Sequence, residues 1–291
     1  ILSGLYVLLI VGMLLAQASF TTPDHLLAAL DSPEIRYSIK LSLLSCTLTT
    51  ILALWIAVPV GYVLARWDDT PIRAGLERWA GPVERVSRPW YLRWLRLFSG
   101  LIRLANPKLL LDALLDIPIV LPPLVIGLAL LILFQTAPLR WFEDNVMPVT
   151  FAIPSVILAQ FTVACAFAVR TMKATFEQIS PREEAVALTL GCTRAQAFWR
   201  VVLPDARRGV LTAATLAWAR ALGEFGPILV FSGATRFRTE VLPTSVFLEL
   251  SIGNIEAAVA VSLLMIFAAV LVLVMLRHYG ADPYPGRGPR L

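Results

Sequence analysis

Two ionisable residues, Arg220 and Glu224, lie inside an otherwise apolar run at residues 209–231. Either charge at the centre of a bilayer costs about 2.5–3.5 kcal/mol unless it is paired or hydrated. Their spacing of four residues places both on one helix face, where they can pair. Two interpretations stay open: an internal ion pair that faces neighbouring helices, or a gate or hinge that borders a path through the bilayer. Gly223 and Gly226 join the second interpretation because their backbone groups could bind the carboxylate.

A second candidate element is rich in proline. The apolar run at residues 117–139 opens with Ile-Pro-Ile-Val-Leu-Pro-Pro, which contains Pro118, Pro122 and Pro123. Proline removes a backbone donor and kinks a helix. One interpretation is a kink tolerated for packing, and the other is a broken helix that lines a pathway, as in transporters.

Residues for other chemistry are missing from the sequence. An ATP-binding P-loop needs Gly-Lys, but the three lysines follow Ile, Pro and Met. There is no His-Glu-x-x-His and no Gly-x-Ser-x-Gly. The two histidines flank apolar runs, and the three cysteines form no Cys-x-x-Cys pair. We therefore expect no catalytic residues, no metal site and no cofactor on this chain.

A polar loop between two apolar runs has the pattern of two short helices. Ser180 can cap a helix that starts at Pro181, and Glu183 completes a capping-box pattern. Gly191 permits a sharp turn before a second helix from about residue 193 to 200, which Pro204 ends. Such a loop is either a plain amphipathic connector or a docking element that transmits force to a soluble partner.

The elements that position these residues are membrane-spanning helices. Of the 291 residues, 58% are hydrophobic and 15% are charged, whereas soluble domains carry about 25% charged residues. Five runs without a charge have the length of a membrane span, and residues 209–231 form the remaining run. The sequence therefore predicts an all-α integral membrane protein with six spans: residues 1–20, 41–65, 117–139, 146–169, 209–231 and 257–276.

Basic residues predict the orientation of these spans. The loops at residues 66–108 and 170–208 and the tail after residue 276 carry nineteen lysines and arginines, whereas the alternate loops carry five. The positive-inside rule places the basic loops and both termini in the cytoplasm. We expect the net charge of +5 to reflect this asymmetry rather than nucleic-acid binding.

The basic loop contains an aromatic insert. Trp90, Trp94, Leu97 and Leu101 recur at helical spacing among arginines. This pattern is typical of an amphipathic helix that lies on anionic membrane lipid at the cytoplasmic interface.

Three segments resemble the permeases of ATP-binding-cassette (ABC) importers. Their cytoplasmic EAA loop has Glu-Ala-Ala, three residues, Gly, nine residues, Ile, one residue and Leu-Pro. Here Gly191 is followed by nine residues and then Val-Val-Leu203-Pro204. The Glu-Ala-Ala half of this loop departs from the family pattern. Glu184 precedes Gly191 by seven residues rather than six, and Ala185 takes the usual place of Glu. Leu-Asp-Ala-Leu-Leu-Asp at residues 111–116, continuing into the proline-rich segment, and Gly-Glu-Phe-Gly at residues 223–226 resemble the molybdate, tungstate and sulfate branch of these permeases.

The resemblance implies a type I importer permease fold with a two-helix cytoplasmic coupling loop. It implies a homodimer in the inner membrane, two copies of an ABC ATPase that bind ATP and Mg²⁺, and a periplasmic or lipid-anchored oxyanion-binding protein. Molybdate or tungstate is the first substrate choice and sulfate or thiosulfate the second. An ion-driven secondary transporter and a membrane-anchoring or signalling subunit are the alternatives from other classes.

The expected layout divides the chain into three parts: residues 1–38 hold the first helix and a periplasmic loop, residues 39–280 form the permease core with the insert at 68–108, and residues 281–291 form a cytoplasmic tail. The residue patterns and the resemblance together give two sets of candidate site residues. For coupling to the ATPase they are Arg182, Glu183, Glu184, Ala185, Ala187, Gly191, Phe198, Leu203 and Pro204. For the path or gate they are Pro118, Pro122, Pro123, Arg220, Gly223, Glu224 and Gly226.

Overall fold

The computed structural model describes residues 2–67 and 107–280, and this part of the chain is helical. The helices are α1 (Leu2–Phe20), α2 (Pro23–Asp31), α3 (Pro33–Arg66), α4 (Pro107–Val120), α5 (Pro123–Phe134), α6 (Ala137–Asn145), α7 (Ile153–Gln178), α8 (Pro181–Thr189), α9 (Arg194–Ala197), α10 (Leu203–Asp205), α11 (Arg207–Leu222), α12 (Gly226–Phe231), α13 (Leu242–Ser251) and α14 (Ile255–Gly280). A π-helical turn, Phe198–Val202, joins α9 to α10. The expected interfacial helix and the tail at residues 281–291 lie outside the described residues.

The predicted spans correspond to helices with shifted ends. Three helices, α3, α7 and α14, are long and apolar enough to cross a bilayer, and counting the bent pairs α1–α2 and α4–α5 as one span each gives five among the described residues. The sixth predicted span, residues 209–231, consists of α11 and α12 with a break between them. Six spans therefore stay a prediction. The fourth differs most, because α7 starts at Ile153 and continues to Gln178.

Small residues bring α3 and α7 into close parallel contact. Ala53 and Ala57 of α3 and Ala164 and Ala168 of α7 are fully buried in one core cluster. Small side chains let helix backbones approach, which is how helices associate in a membrane without a hydrophobic driving force. The pair α3–α7 forms a frame against which α4 and α11 pack.

The helix that carries Arg220 packs against this frame. α11 runs antiparallel to α7, so that Gly209 at its start lies against Thr175 and Ala221 at its end lies beside Gln160. Its buried face includes Ala213, Ala217 and other residues of the same core cluster. A second cluster, which includes Phe134 of α5 and Phe231 of α12, fixes these two short helices together. The broken halves of two predicted spans are therefore neighbours.

Candidate translocation site and coupling loop

The path or gate residues on the fifth predicted span meet at the break between α11 and α12. Arg220 Nη1 lies 2.5 Å from Glu224 Oε2, and Glu224 is 1% exposed. The arginine also lies over the ring of Phe167, with 5.9 Å between its Cζ and the ring centroid. Glu224 Oε1 has no hydrogen-bond partner among the described residues. The internal ion pair is therefore present, and it lies at a helix break.

The proline-rich segment breaks a second helix at the place where it meets the first break. α4 continues through Pro118, and the chain bends by 110° between α4 and α5. Pro122 is the N-cap and Pro123 the first residue of α5. A Cβ on Gly226 would lie 2.9 Å from the Pro123 Cβ, so only glycine allows this approach. Of the predicted path residues, the structure thus brings Pro123 into contact with Gly226 and places Pro122 at the bend, while Pro118 lies one turn earlier.

Two residues outside the predicted set, the buried Gln160 and the half-buried Phe167, complete this site. Phe167 supports Arg220, and Gln160 donates a hydrogen bond from Nε2 to the Ala221 carbonyl at 3.2 Å. Both lie on α7. An uncharged amide within the apolar run 146–169 is the sequence signal that could have identified Gln160. Phe167 carries no such signal, because it is one apolar residue among many.

The coupling loop begins with α8 and a glycine turn. The Ser180 hydroxyl accepts the Arg182 amide at 3.3 Å, so Ser180 caps α8, but the predicted partner Glu183 is not the residue it binds. Gly191 has a φ of +87°. The Gly191 amide binds the Leu188 carbonyl and the Cys192 amide binds the Ala187 carbonyl, which is the Schellman pattern that ends a helix at a left-handed glycine. The predicted elbow is therefore present.

The second half of the loop differs from its prediction. Thr193 and Gln196 form the capping box of α9. The helical path then widens into the π-turn and continues through Pro204 in α10. Proline is accepted there because it occupies the first turn of a short helical segment, where its missing amide leaves no gap. Ala206 is the C-cap of α10, two residues after the predicted end.

Glu184 points into the permease. Its Oε1 accepts the Tyr62 hydroxyl at 2.5 Å and its Oε2 accepts Arg66 Nε at 3.3 Å, both from the end of α3. Arg66 also donates to the carbonyls of Phe176 and Ile179, where α7 ends. The two charged side chains are 14% and 18% exposed. This arrangement, the α8 clamp, ties the coupling loop to the α3–α7 frame.

The opposite face of α8 is exposed. Val186 is 58% and Leu190 is 80% exposed, and the neighbouring polar side chains of Arg182 and Glu183 are exposed too. The remaining predicted coupling residues divide by burial: Ala185 and Pro204 are exposed, Phe198 and Leu203 are half-buried, and Ala187 is buried. An apolar tip of this kind on a polar loop is suited to contact with another protein.

At the other end of the bundle, the half-buried Glu143 and the buried Glu240 and Glu249 bind the loops. Burial of Glu143 opposes its ionisation, but hydrogen bonds from the Thr150 and Val149 amides outweigh it and hold the pKa of this carboxyl below its ordinary value. Burial raises the pKa of Glu240, which accepts the Ser245 hydroxyl at 2.8 Å. Arg236 pairs with Glu249 at 2.9 Å. Within the described residues, no group of three or more potential ligands could hold a metal ion.

The described residues combine apolar helices, a buried ion pair at a helix break and an exposed two-helix loop. This combination is typical of a membrane transport permease. The chain belongs to the family described as binding-protein-dependent transport system inner membrane component, which matches residues 97–281. The expectation from the resemblance is thereby confirmed at the level of the family.

The relatives carry names from one branch of this family. The chain is 32% identical over 249 residues to the molybdenum transport system permease protein ModB of Mycobacterium tuberculosis, covering 85% of this chain and 80% of the relative. It is 33% identical over 221 residues to the sulfate transport system permease protein CysT of Salmonella typhimurium, covering 75% and 77%. The fold is similar to that in the crystal structure of a bacterial alginate ABC transporter in complex with alginate pentasaccharide-bound periplasmic protein, with a TM-score of 0.65, 13% identity, and coverage of 92% and 86%.

Proposed function

We propose that this permease forms the pathway of an ABC importer for a tetrahedral oxyanion, with molybdate or tungstate as the first substrate and sulfate or thiosulfate as the second. The ModB and CysT names of the relatives support an anion of this class. The first choice follows the larger share of the chain that aligns with the molybdenum permease.

The ion pair at the α11–α12 break is the observation that carries this proposal. A bare arginine in the bilayer would hold a dianion tightly, and a bare carboxylate would repel it. Glu224 offsets the charge of Arg220, so an anion that passes meets a weak site rather than a trap. Conduction requires binding that is favourable enough for entry and weak enough for exit. Arg220 stays 30% exposed, which leaves part of the guanidinium open to the path.

The coupling loop supports an ATPase partner. The exposed apolar tip at Val186 and Leu190 docks on the ATPase, and the clamp at Glu184 passes the displacement to α3 and α7. ATP and Mg²⁺ are held by that partner, of which two copies act on two copies of this chain. The acidic residue of the docking surface is Glu183 rather than Glu184, because Glu183 is exposed and Glu184 is occupied.

The membrane orientation follows from the basic loops. The α8 side faces the cytoplasm together with both termini, and the side with Glu143 and Glu240 faces outward, where a periplasmic or lipid-anchored binding protein delivers the anion. The protein is a multi-pass component of the inner membrane, and its basic aromatic insert contacts lipid.

Reconstitution tests the transport function. Proteoliposomes that contain the permease, its ATPase and the binding protein are expected to accumulate labelled molybdate only when ATP is enclosed in the lumen, on the side of the ATPase. Excess tungstate is expected to compete with molybdate uptake more strongly than excess sulfate. Uptake driven by an ion gradient without ATP would contradict the proposal and favour a secondary transporter. Stronger competition by sulfate would move the substrate to the second choice.

Variants at the break test its role in the path. Arg220→Met and Glu224→Gln are expected to reduce ATP-driven uptake at least tenfold, because each leaves the partner in the bilayer without its counter-charge. Arg36→Gln is the matched control, since it also removes one charge from an ion pair, with Asp31, but on an exposed surface. Uptake by Arg220→Met and Glu224→Gln that equals uptake by Arg36→Gln and by the unmodified transporter would refute a gate at this position.

A further inference from the structure

Gln160 is a buried polar residue beside the proposed gate, and the proposed function gives it no role. It is 1% exposed and lies on α7, between α3 and the last turn of α11. Its Nε2 donates to the Ala221 carbonyl at 3.2 Å, and its Oε1 lies 3.3 Å from the Thr49 hydroxyl. The side chain therefore connects three helices through one buried amide.

The Ala221 carbonyl is open to a side-chain donor because α11 ends there. In a continuous helix this carbonyl would accept the amide of the residue four positions later, Phe225. Here the Glu224 amide reaches it instead, three positions on and at 3.2 Å, and Gln160 supplies a second donor. Backbone groups freed at a break in the bilayer must be satisfied by neighbouring helices, side chains or water. Gln160 is the neighbouring side chain that does so here.

Thr49 and the Ala221 carbonyl together set the direction of the Gln160 amide. Its hydroxyl lies within hydrogen-bonding distance of both Gln160 Oε1 and the Ile157 carbonyl, at 3.3 Å in each case. An oxygen of Gln160 facing the Ala221 carbonyl would place two acceptors together, so the NH₂ group must face α11. The Cys46 sulfur, 3.6 Å from Nε2, is a further weak acceptor on α3.

We infer that Gln160 is a positioning residue that clamps the α11–α12 break and thereby holds Arg220 and Glu224 in the path. This inference rests on the proposed gate at these two residues. The clamp joins the break to the α3–α7 frame, which also carries the coupling loop through Glu184. Motion of the α3–α7 frame is thus transmitted to Arg220 and Glu224 through the hydrogen bond between Gln160 and the Ala221 carbonyl.

Hydrogen exchange of the complete transporter in nanodiscs tests the clamp directly. Gln160→Met keeps the length of the side chain but removes both hydrogen-bonding groups. Exchange of the amides at residues 223–225 is expected to become faster by about threefold to eighteenfold, the range that corresponds to one hydrogen bond between membrane helices. Thr162→Val is the matched control, because this hydroxyl on the same helix donates only to its own helix, at the Leu158 carbonyl.

A second variant, Thr49→Val, tests the same inference if Gln160→Met does not assemble into a transporter. Thr49→Val leaves residue 160 unchanged and removes one group that orients its amide, so about threefold faster exchange at the same amides is expected, at the low end of the range for one such bond. Unchanged exchange in both Gln160→Met and Thr49→Val would overturn the inference and leave the proposed transport function untouched.

The number of anions transported per ATP hydrolysed separates positioning from simple support of the fold. It is expected to fall at least threefold in Gln160→Met, while Thr162→Val matches the unmodified transporter. Faster exchange with unchanged stoichiometry would overturn the role in positioning the gate. Absence of ATP-driven oxyanion uptake by the unmodified complex would instead contradict the proposed function, whatever the exchange result.

Discussion

Substitution of Glu184 by Gln distinguishes an internal clamp from a docking contact. The carboxylate binds Tyr62 and Arg66 within the same chain, at 2.5 and 3.3 Å. Two unit charges at 3.3 Å attract each other by about 5 kcal/mol at an effective dielectric constant of 20. Desolvation offsets most of this attraction, so loss of one partner of a partly buried pair is expected to cost about 2 kcal/mol. Glutamine keeps an oxygen for Tyr62, so the loss is confined to the charge.

The assay is thermal unfolding of the isolated permease in nanodiscs, without the ATPase. A loss of 2 kcal/mol corresponds to a fall in Tm of about 4–8 °C for a chain of this size. Glu183→Gln is the matched control, because it makes the same change at the adjacent exposed residue and is expected to shift stability by less than about 0.5 kcal/mol. Tyr62→Phe removes one of the two bonds, and its effect is expected to be non-additive with that of Glu184→Gln.

The affinity for the ATPase provides the second half of this test. If Glu184 were a docking contact, Glu184→Gln would weaken ATPase binding and leave the Tm of the isolated permease unchanged. That outcome, with Glu183→Gln silent in both measurements, would refute the clamp. The structure predicts the reverse, in which Glu184→Gln lowers the Tm and Glu183→Gln weakens ATPase binding.

Three further predictions concern single positions. Gly226→Ala is expected to destabilise the permease by about 1–3 kcal/mol in thermal unfolding, because its Cβ would lie 2.9 Å from Pro123. Gly223→Ala should stay within about 0.5 kcal/mol, because its Cβ would lie 3.8 Å from the nearest atom, the Ala219 carbonyl oxygen. Glu240→Gln is expected to raise the Tm at pH 8. Burial raises the pKa of the Glu240 carboxyl, so the folded protein holds the proton more tightly than the unfolded chain and loses stability as the pH rises above 4.5, the ordinary pKa of this group. The gain in Tm should therefore vanish below pH 4.5. Gly191→Ala is expected to cost about 1–2 kcal/mol through its φ of +87°, and a Tm equal to that of the unmodified permease would contradict the strain.

Apolar runs, charges and prolines are local signals, so the sequence predicts the helices and either a kink or a break at Pro122 and Pro123. Spacing alone predicts that Arg220 and Glu224 can pair. The 110° bend shows a break at the prolines, whereas the break between α11 and α12 was not predicted, because residues 209–231 have the pattern of one continuous span. The clamp at Glu184 could not be derived in this way, since Tyr62 lies 122 positions away and a helical pattern does not show which face turns inward. The partner of Ala221 was missed for the same reason, because Gln160 meets it only through the packing of α7 on α11.

The contact between Pro123 and Gly226 has a consequence for engineering substrate preference. Gly127 likewise lies directly against Pro227, with 2.8 Å between a Cβ placed on the glycine and the proline Cα. Two breaks that touch backbone to backbone cannot be reshaped one at a time, since a larger residue in either forces the other aside. A permease library that varies residues 121–127 and 223–227 separately would therefore sample mostly misassembled bundles. Grafting both segments together from a permease of different selectivity keeps their mutual fit and exchanges the lining as one unit.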